Sequence, residues 1–129
     1  VYDPEESISF EGETGPYIQY TYARICSVLR KAEKQKPEFS LLIEKLEKRL
    51  LRMLSSFEKV VLDSADQHKP SILCRYLLDL SQMFNEYYHK HKILTGDQLQ
   101  STRLHLVDSV RIVLGNGLNI LKIKTLEVM

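Results

Sequence analysis

Apolar residues recur every three or four positions along most of this chain, which is the spacing of a helix with one buried face. The longest such stretch lies between residues 72 and 87. Its apolar positions are Ile72, Leu73, Tyr76, Leu77, Leu80, Met83, Phe84 and Tyr87. No segment shows the strict alternation of a half-buried strand. The pattern therefore predicts an all-α fold, a helical bundle of four to five main helices around one core.

Proline marks both ends of the first predicted helix. The first is expected to begin near Pro16 and to run to about Lys34, and Lys36-Pro37 should end it. The second is predicted to follow over residues 39–62. We expect it to continue or to kink near Ser55-Ser56.

The second half of the chain carries similar signals. Pro70 should open a third helix, which ends in a loop over residues 89–97. A fourth helix is predicted over about residues 98–114. Gly115-Asn116-Gly117 would lie inside it or just after it, and a short last helix would precede an extended tail to Met129.

Length and composition indicate one soluble domain. The chain has 129 residues, of which 43% are hydrophobic and 27% charged. No apolar run approaches the ~20 residues of a membrane span, so we expect no membrane partner. The chain begins with Val1 rather than Met, which suggests a fragment or a processed product, and residues 1–10 are expected to be a tail.

Charge is balanced overall but unevenly placed. The net charge is +1, which is not typical of a strong nucleic-acid binder. Residues 1–13 carry five acidic side chains and no basic ones, whereas residues 23–52 carry nine basic against four acidic. A basic face there could contact phosphates. A solvated helix surface with ion pairs four residues apart explains the same distribution, so charge leaves both interpretations open.

No catalytic or metal-binding set emerges from the sequence. The acidic residues are scattered over polar faces, and no Gly-x-Ser-x-Gly elbow or phosphate-binding loop is present. Cys26 and Cys74 lie 48 positions apart in helical patterns, as expected of reduced thiols, with a disulfide or metal pair as the alternative. His89 and His91 follow a helix as surface histidines would, since zinc sites need several closely paired ligands. We expect no catalytic residue, no metal and no cofactor in this chain.

Aromatic and amide side chains are concentrated near the end of the third helix. The run from Met83 to Lys90 contains Phe84, Asn85, Tyr87 and Tyr88. Unstacked RNA bases are held on aromatic faces and hydrogen-bonded along their edges. An aromatic stripe at helical spacing is more often part of the core, and the residues alone leave both possibilities.

Three blocks of sequence resemble the C-terminal, DALR-type anticodon-binding domain of arginyl-tRNA synthetases. The first is Gly12-x-Thr14-Gly15-Pro16-Tyr17-x-Gln19-Tyr20-x-x-Ala23-Arg24. The second runs from Lys69-Pro70-Ser71 to Tyr87-Tyr88. The third runs from Thr102-Arg103-Leu104 to the final Met129. It contains Val107-Asp108-Ser109-Val110-Arg111 in place of the tetrad that names the family.

The resemblance implies an α-helical domain over residues 11–129 that grips the anticodon arm of tRNA-Arg. Residues 1–10 would then be a linker from an absent catalytic domain. By position, Phe84 would pack against an anticodon base, with Asn85 and Tyr88 beside it and Met129 at the same pocket. Gln19 and Tyr20 would touch the anticodon arm. Arg103 and Arg111 are lesser candidates for phosphate contacts.

The same resemblance implies the wider role of the parent protein. That protein would be a cytoplasmic ligase that attaches arginine to tRNA-Arg using ATP and magnesium, and its ATP-binding signatures are absent from this chain. The implied partners are tRNA-Arg and the catalytic domain, and DNA is not expected. The alternative function is a helical protein–protein docking module without RNA specificity.

Overall fold

The computed structural model describes residues 14–129, and within them the chain is all-α, as predicted. Five helices follow in order: α1 (Gly15–Arg30), α2 (Lys45–Ser55), α3 (Phe57–Asp66), α4 (Pro70–Lys90) and α5 (Gln98–Ile120). A single 3₁₀ turn, Phe39–Leu41, lies between α1 and α2. The predicted tail over residues 1–10 and the Gly12 turn lie outside the described residues.

The helix ends follow local chemistry. Pro16 and Pro70 occupy the first turns of α1 and α4, where an absent backbone N–H costs nothing. At the start of α5 the carboxylate of Asp97 accepts the backbone N–H of Leu99 at 3.1 Å. Gly96 precedes it at a φ of +82°, a left-handed conformation that glycine adopts without strain.

The structure confirms one predicted break and corrects other boundaries: α1 ends at Arg30 rather than Lys34, and α2 begins at Lys45 rather than at residue 39. The predicted second helix is divided at Ser56 into α2 and α3, which is the kink expected near Ser55-Ser56. The short last helix does not exist as a separate element, because α5 continues unbroken through Gly115-Asn116-Gly117 to Ile120. Gly117 stays helical because α5 packs closely there: a Cβ at this position would lie 2.5 Å from Cδ2 of Leu77.

Helices α1, α4 and α5 pack against one another and form the centre of the bundle. Helix α2 packs on α4 and α5, and α3 packs on α4. Within residues 14–129 the core contains 21 buried side chains, and its largest fully enclosed members are Tyr87, Phe84, Ile18, Ile25, Leu50, Leu73, Leu77, Leu80, Leu104, Leu106, Leu114 and Leu118. One contiguous core is what a single domain of this size requires.

The loop between α1 and α2 is fixed to α5 by polar contacts. The backbone N–H of Glu38 donates to Oγ1 of Thr102 at 2.9 Å. Nε2 of His105 lies 2.9 Å from the carbonyl oxygen of Gln35. Among residues 14–129, no helix combines the length and apolarity that crossing a bilayer would require.

Candidate nucleic-acid interface

Helices α1 and α4 bring a cation and three tyrosines together at the surface of the bundle. Tyr17, Tyr20 and Arg24 share one face of α1 because they are three, four and seven residues apart. Asn85 and Tyr88 face them from the last turns of α4, three residues apart. We call these five residues the aromatic patch.

Arg24 is the centre of the aromatic patch. One of its guanidinium nitrogens donates to Oδ1 of Asn85 at 2.8 Å. Its guanidinium carbon lies 5.4 Å from the ring centroid of Tyr20 and 5.2 Å from that of Tyr88. Both distances are in the range of cation–π attraction, so the guanidinium is held in place on three sides.

Asn85 fixes the geometry from the α4 side. Its Nδ2 donates to the hydroxyl of Tyr17 at 2.9 Å and to Oγ1 of Thr21 at 3.0 Å, while its Oδ1 accepts from Arg24. The threonine hydroxyl in turn donates to the carbonyl of Tyr17. The amide is thereby fully oriented, and it ties the two helices together beneath the exposed rings.

The patch offers stacking surface to solvent. Tyr20 is 51% exposed and Tyr17 is 37% exposed, whereas Tyr88 is half-buried. Exposed aromatic faces can stack unpaired bases, and the planar guanidinium beside them can donate hydrogen bonds to the base edges. The patch therefore has the chemistry that single-stranded RNA requires.

Phe84 does not take part as the sequence led us to expect. Its side chain is 0% exposed and belongs to the core, so it has no free face for a base. The helical stripe that places Tyr87 inward also turns Phe84 inward. Its ring lies against Tyr88, with centroids 6.1 Å apart and planes 28° apart, so it supports the patch from beneath.

The expectation that Arg103 contacts a phosphate is also corrected. Arg103 is only 7% exposed. Its Nε donates to Oε2 of the fully buried Glu47 at 2.8 Å, and Nη1 donates to the carbonyl of Lys92 at 2.6 Å. The hydroxyl of Tyr87 donates to the same carboxylate oxygen at 2.6 Å. Arg103 joins α5 to α2 inside the protein and is not available to RNA.

Arg111 is partly exposed but lies on α5 rather than in the patch. Its Nε donates to Oδ1 of Asp108 at 2.7 Å, while Lys34 pairs with Oδ2 at 2.5 Å. Burial alone would raise the pKa of Asp108, but the hydrogen bonds and charges of these two cations outweigh it and lower that pKa. This ion pair lies within residues 107–111, the segment found in place of the tetrad that names the DALR-type domain.

Gln19 contacts the C-terminal segment rather than the patch. Its Nε2 donates to the carbonyl oxygen of Lys124 at 2.7 Å. Further along α1, Arg30 donates to the carbonyl oxygen of Glu127 at 3.4 Å. These bonds lay the tail along α1, and Met129 ends it with 57% of its surface exposed.

Of the predicted site residues, the structure brings together Tyr20, Asn85 and Tyr88. Sequence reasoning missed Arg24 and Tyr17 as members of this group. Their signal was present in the chain, because both lie in the glycine-proline-tyrosine block at helical spacing from Tyr20. Over residues 14–129, no three His, Cys, Asp or Glu side chains cluster as a metal site would need, and Cys26 and Cys74 are free thiols.

Comparison with known proteins agrees with the fold and the sequence blocks. Residues 18–129 match the DALR anticodon binding domain family. The arginine–tRNA ligase of Halothermothrix orenii is 41% identical over 133 residues, and that of Clostridium botulinum is 43% identical over 133 residues. Each alignment covers 100% of this chain and 24% of the relative.

A solved structure shows the same architecture. The arginyl-tRNA synthetase of Thermus thermophilus superposes with a TM-score of 0.84 at 38% sequence identity, over 99% of this chain and 23% of that one. The present chain therefore spans about a quarter of the length of the proteins it matches. The resemblance inferred from the three blocks is confirmed, and the chain belongs to the DALR anticodon-binding domain family.

Proposed function

We propose that this chain binds the anticodon arm of tRNA-Arg, with the aromatic patch holding an unstacked anticodon base. The arrangement of Arg24 carries the proposal: it lies between Tyr20 and Tyr88 and is hydrogen-bonded to Asn85. Tyr20 supplies the stacking face, and Arg24 supplies donors for a base edge. The guanidinium is already oriented, so little ordering entropy is lost when RNA binds.

The parent protein would be a cytoplasmic arginine–tRNA ligase. Its ATP- and magnesium-dependent attachment of arginine would take place in the catalytic part, which this chain does not contain. The relatives are named as arginine–tRNA ligases, and this chain corresponds to 24% of their length. In this proposal the domain contributes recognition of tRNA, and the catalytic domain is its second partner.

The test is filter binding of labelled tRNA-Arg against a mixed tRNA pool at low salt. We expect a preference for tRNA-Arg, and we expect Tyr20→Ala to weaken binding by about 1–3 kcal/mol because a stacked base loses its platform. Phe39→Ala is the matched control, since Phe39 is a similarly exposed ring (59%) on the α1–α2 loop. Equal binding of both tRNA samples, or equal effects of the two variants, would contradict the proposal.

A second candidate function rests on exposed aliphatic side chains. Leu62 on α3 and Ile112 and Ile120 on α5 are each about half exposed. Leu62 and Ile120 line an open groove with Phe57 and Val61. Such a surface suits protein contact. This docking function predicts no preference for tRNA-Arg, so the same binding experiment separates the two functions.

A further inference from the structure

A second polar surface lies on the opposite side of α1 from the aromatic patch. It is a depression of about 410 Å³ between the last turns of α5 and the segment that follows them. Its floor contains Tyr22, which packs closely on Gly115. We call it the tail groove. Its lining residues are Tyr22, Arg111, Ile112, Gly115, Asn116, Asn119, Ile123, Lys124 and Thr125.

The lining of the tail groove is suited to an anion. It contains two cations, Arg111 and Lys124, and two side-chain amides, Asn116 and Asn119, and no acidic residue. The nearby carboxylate of Asp108 is already engaged, with one oxygen on Lys34 and the other on Nε of Arg111. Arg111 also lies within hydrogen-bonding reach of Tyr22 at the floor of the groove, and its side chain stays partly exposed to solvent.

The position of Lys124 is determined by the fold. Its backbone carbonyl accepts the hydrogen bond from Gln19, which holds the tail against α1. Its side chain is exposed and lines the groove opposite the amides of α5. In a chain with a net charge of only +1, two cations without a carboxylate among nine lining residues are a local concentration of positive charge.

The distance between the two surfaces suits one RNA strand. Tyr20 belongs to the aromatic patch and Tyr22 lines the tail groove. Two residues on a helix point in directions about 200° apart around a cylinder about 10 Å wide. A strand that passes around half of this circumference covers roughly 16 Å, which is about five nucleotides at about 3.4 Å each.

We propose that the tail groove binds a phosphodiester group of the RNA strand whose unstacked base lies on the aromatic patch. Arg111 and Lys124 neutralise the phosphate, and the amides of Asn116 and Asn119 donate to its oxygens. This contact adds affinity without reading sequence, because phosphates are the same at every nucleotide. It rests on the proposed binding of tRNA, but it uses residues outside the patch.

The test compares Lys124→Gln with Lys122→Gln in salt-dependent binding of tRNA-Arg. Lys122 is also exposed, but it does not line the groove. Both variants lose one positive charge, and only Lys124→Gln removes it from the groove. Losing one phosphate contact should reduce the slope of log K against log salt by about 0.7, which is about fivefold in affinity at roughly 0.1 M salt. We expect this loss for Lys124→Gln alone, and equally for tRNA-Arg and for other RNAs.

Asn116→Asp and Asn119→Asp extend the test without removing side-chain volume. Each places a carboxylate in the groove, and each should weaken RNA binding more than Gln67→Glu does at the exposed end of α3. Titration with inorganic phosphate, followed by NMR of the Asn116 and Asn119 side-chain amides, probes the groove without RNA. Amide shifts that appear in the wild-type chain and are absent from Lys124→Gln would support a phosphate site in the tail groove.

The outcomes separate this proposal from the function on which it rests. If Tyr20→Ala weakens binding but Lys124→Gln behaves like Lys122→Gln in both affinity and salt slope, the tail groove is not a phosphate site and the patch stands. If no RNA binds the wild-type chain and phosphate shifts neither amide, both proposals fail. If inorganic phosphate shifts the amide resonances but no RNA binds, the ligand of the groove is not an RNA strand.

Discussion

Arg103 and Glu47 form an ion pair inside the protein although 56 residues separate them in the chain. The pair is 2.8 Å long, and the two side chains are 8% and 0% exposed. Tyr87 and the backbone N–H of Glu44 complete the hydrogen bonds of the carboxylate. Burial and the hydrogen bond to this carboxylate both raise the pKa of Tyr87, so the phenol remains a donor at every physiological pH.

This network predicts that Arg103→Met is destabilising. Removing the cation leaves a buried carboxylate without its partner, which costs about 3–5 kcal/mol. Urea unfolding followed by circular dichroism measures the loss, and Arg49→Met, at an exposed position of α2, is the control. RNA affinity per folded molecule should not change. A normal unfolding free energy with weakened RNA binding would instead restore Arg103 as a phosphate contact.

Phe84→Ala should also act through stability. The side chain is fully enclosed, and removing such a ring from a core costs about 3–5 kcal/mol. We expect a clearly lowered thermal midpoint, whereas Phe39→Ala at the surface should change unfolding by less than about 0.5 kcal/mol. A stacking role for Phe84 makes the opposite prediction, an unchanged midpoint with weakened RNA binding.

Arg24→Lys separates charge from geometry in the aromatic patch. Lysine keeps the positive charge but lacks the planar fork that reaches Asn85 and lies on two rings. We expect a loss of about 1–2 kcal/mol in tRNA-Arg binding, measured by filter binding. Arg30→Lys is the control, since Arg30 is exposed on the same helix and makes only a long bond to the tail. Identical affinities for the two variants would show that only charge matters at Arg24.

The two glycines inside α5 should respond differently to alanine. A Cβ at Gly117 would lie 2.5 Å from Cδ2 of Leu77, which is enclosed in the core and cannot move aside cheaply. Overpacking of this kind costs about 1–3 kcal/mol, more than the ~1 kcal/mol that alanine gains as a helix former. At Gly115 the nearest atom is 3.2 Å away, so Gly115→Ala should be close to neutral. Thermal unfolding of both variants tests the ranking.

Cys74 should react slowly with thiol reagents in the folded protein. Burial raises the pKa of its thiol to about 11 from an ordinary value of 9.0. At about pH 8 this leaves roughly a hundredfold less thiolate than an exposed cysteine has, and the thiolate is the reactive form. Alkylation followed by peptide mapping measures the rate, with the urea-unfolded chain as the control. Equal rates in the two states would contradict the burial effect.

The raised pKa of Cys74 should also make the stability of the protein depend on pH in alkaline solution. Between about pH 9 and 11 the unfolded chain has lost the Cys74 proton while the folded chain retains it. The free energy of unfolding should therefore fall as pH rises through this window, and Cys74→Ala should reduce that slope. Urea titrations at several pH values measure it.

The sequence by itself determined the helical architecture, the proline-marked starts of α1 and α4, and the family. Each depends on residues close together in the chain, since helical periodicity and turn chemistry are local. Asn85 and Tyr88 were found because they lie in one block. Local patterns were insufficient at Gly115-Asn116-Gly117. The glycines there suggested the end of the fourth helix, but packing against Leu77 keeps α5 helical.

Only the tertiary structure decided which side of each helix is inward and which charges meet. Phe84 and Tyr88 are four residues apart on the same side of α4, yet the packing of α1 on α4 encloses the first and leaves the second half-exposed. Arg24 and Arg103 are both arginines in helices. Arg24 meets Tyr88 at the surface and Arg103 meets Glu47 inside. These contacts join residues 64 and 56 positions apart, so they depend on how the helices pack rather than on local pattern.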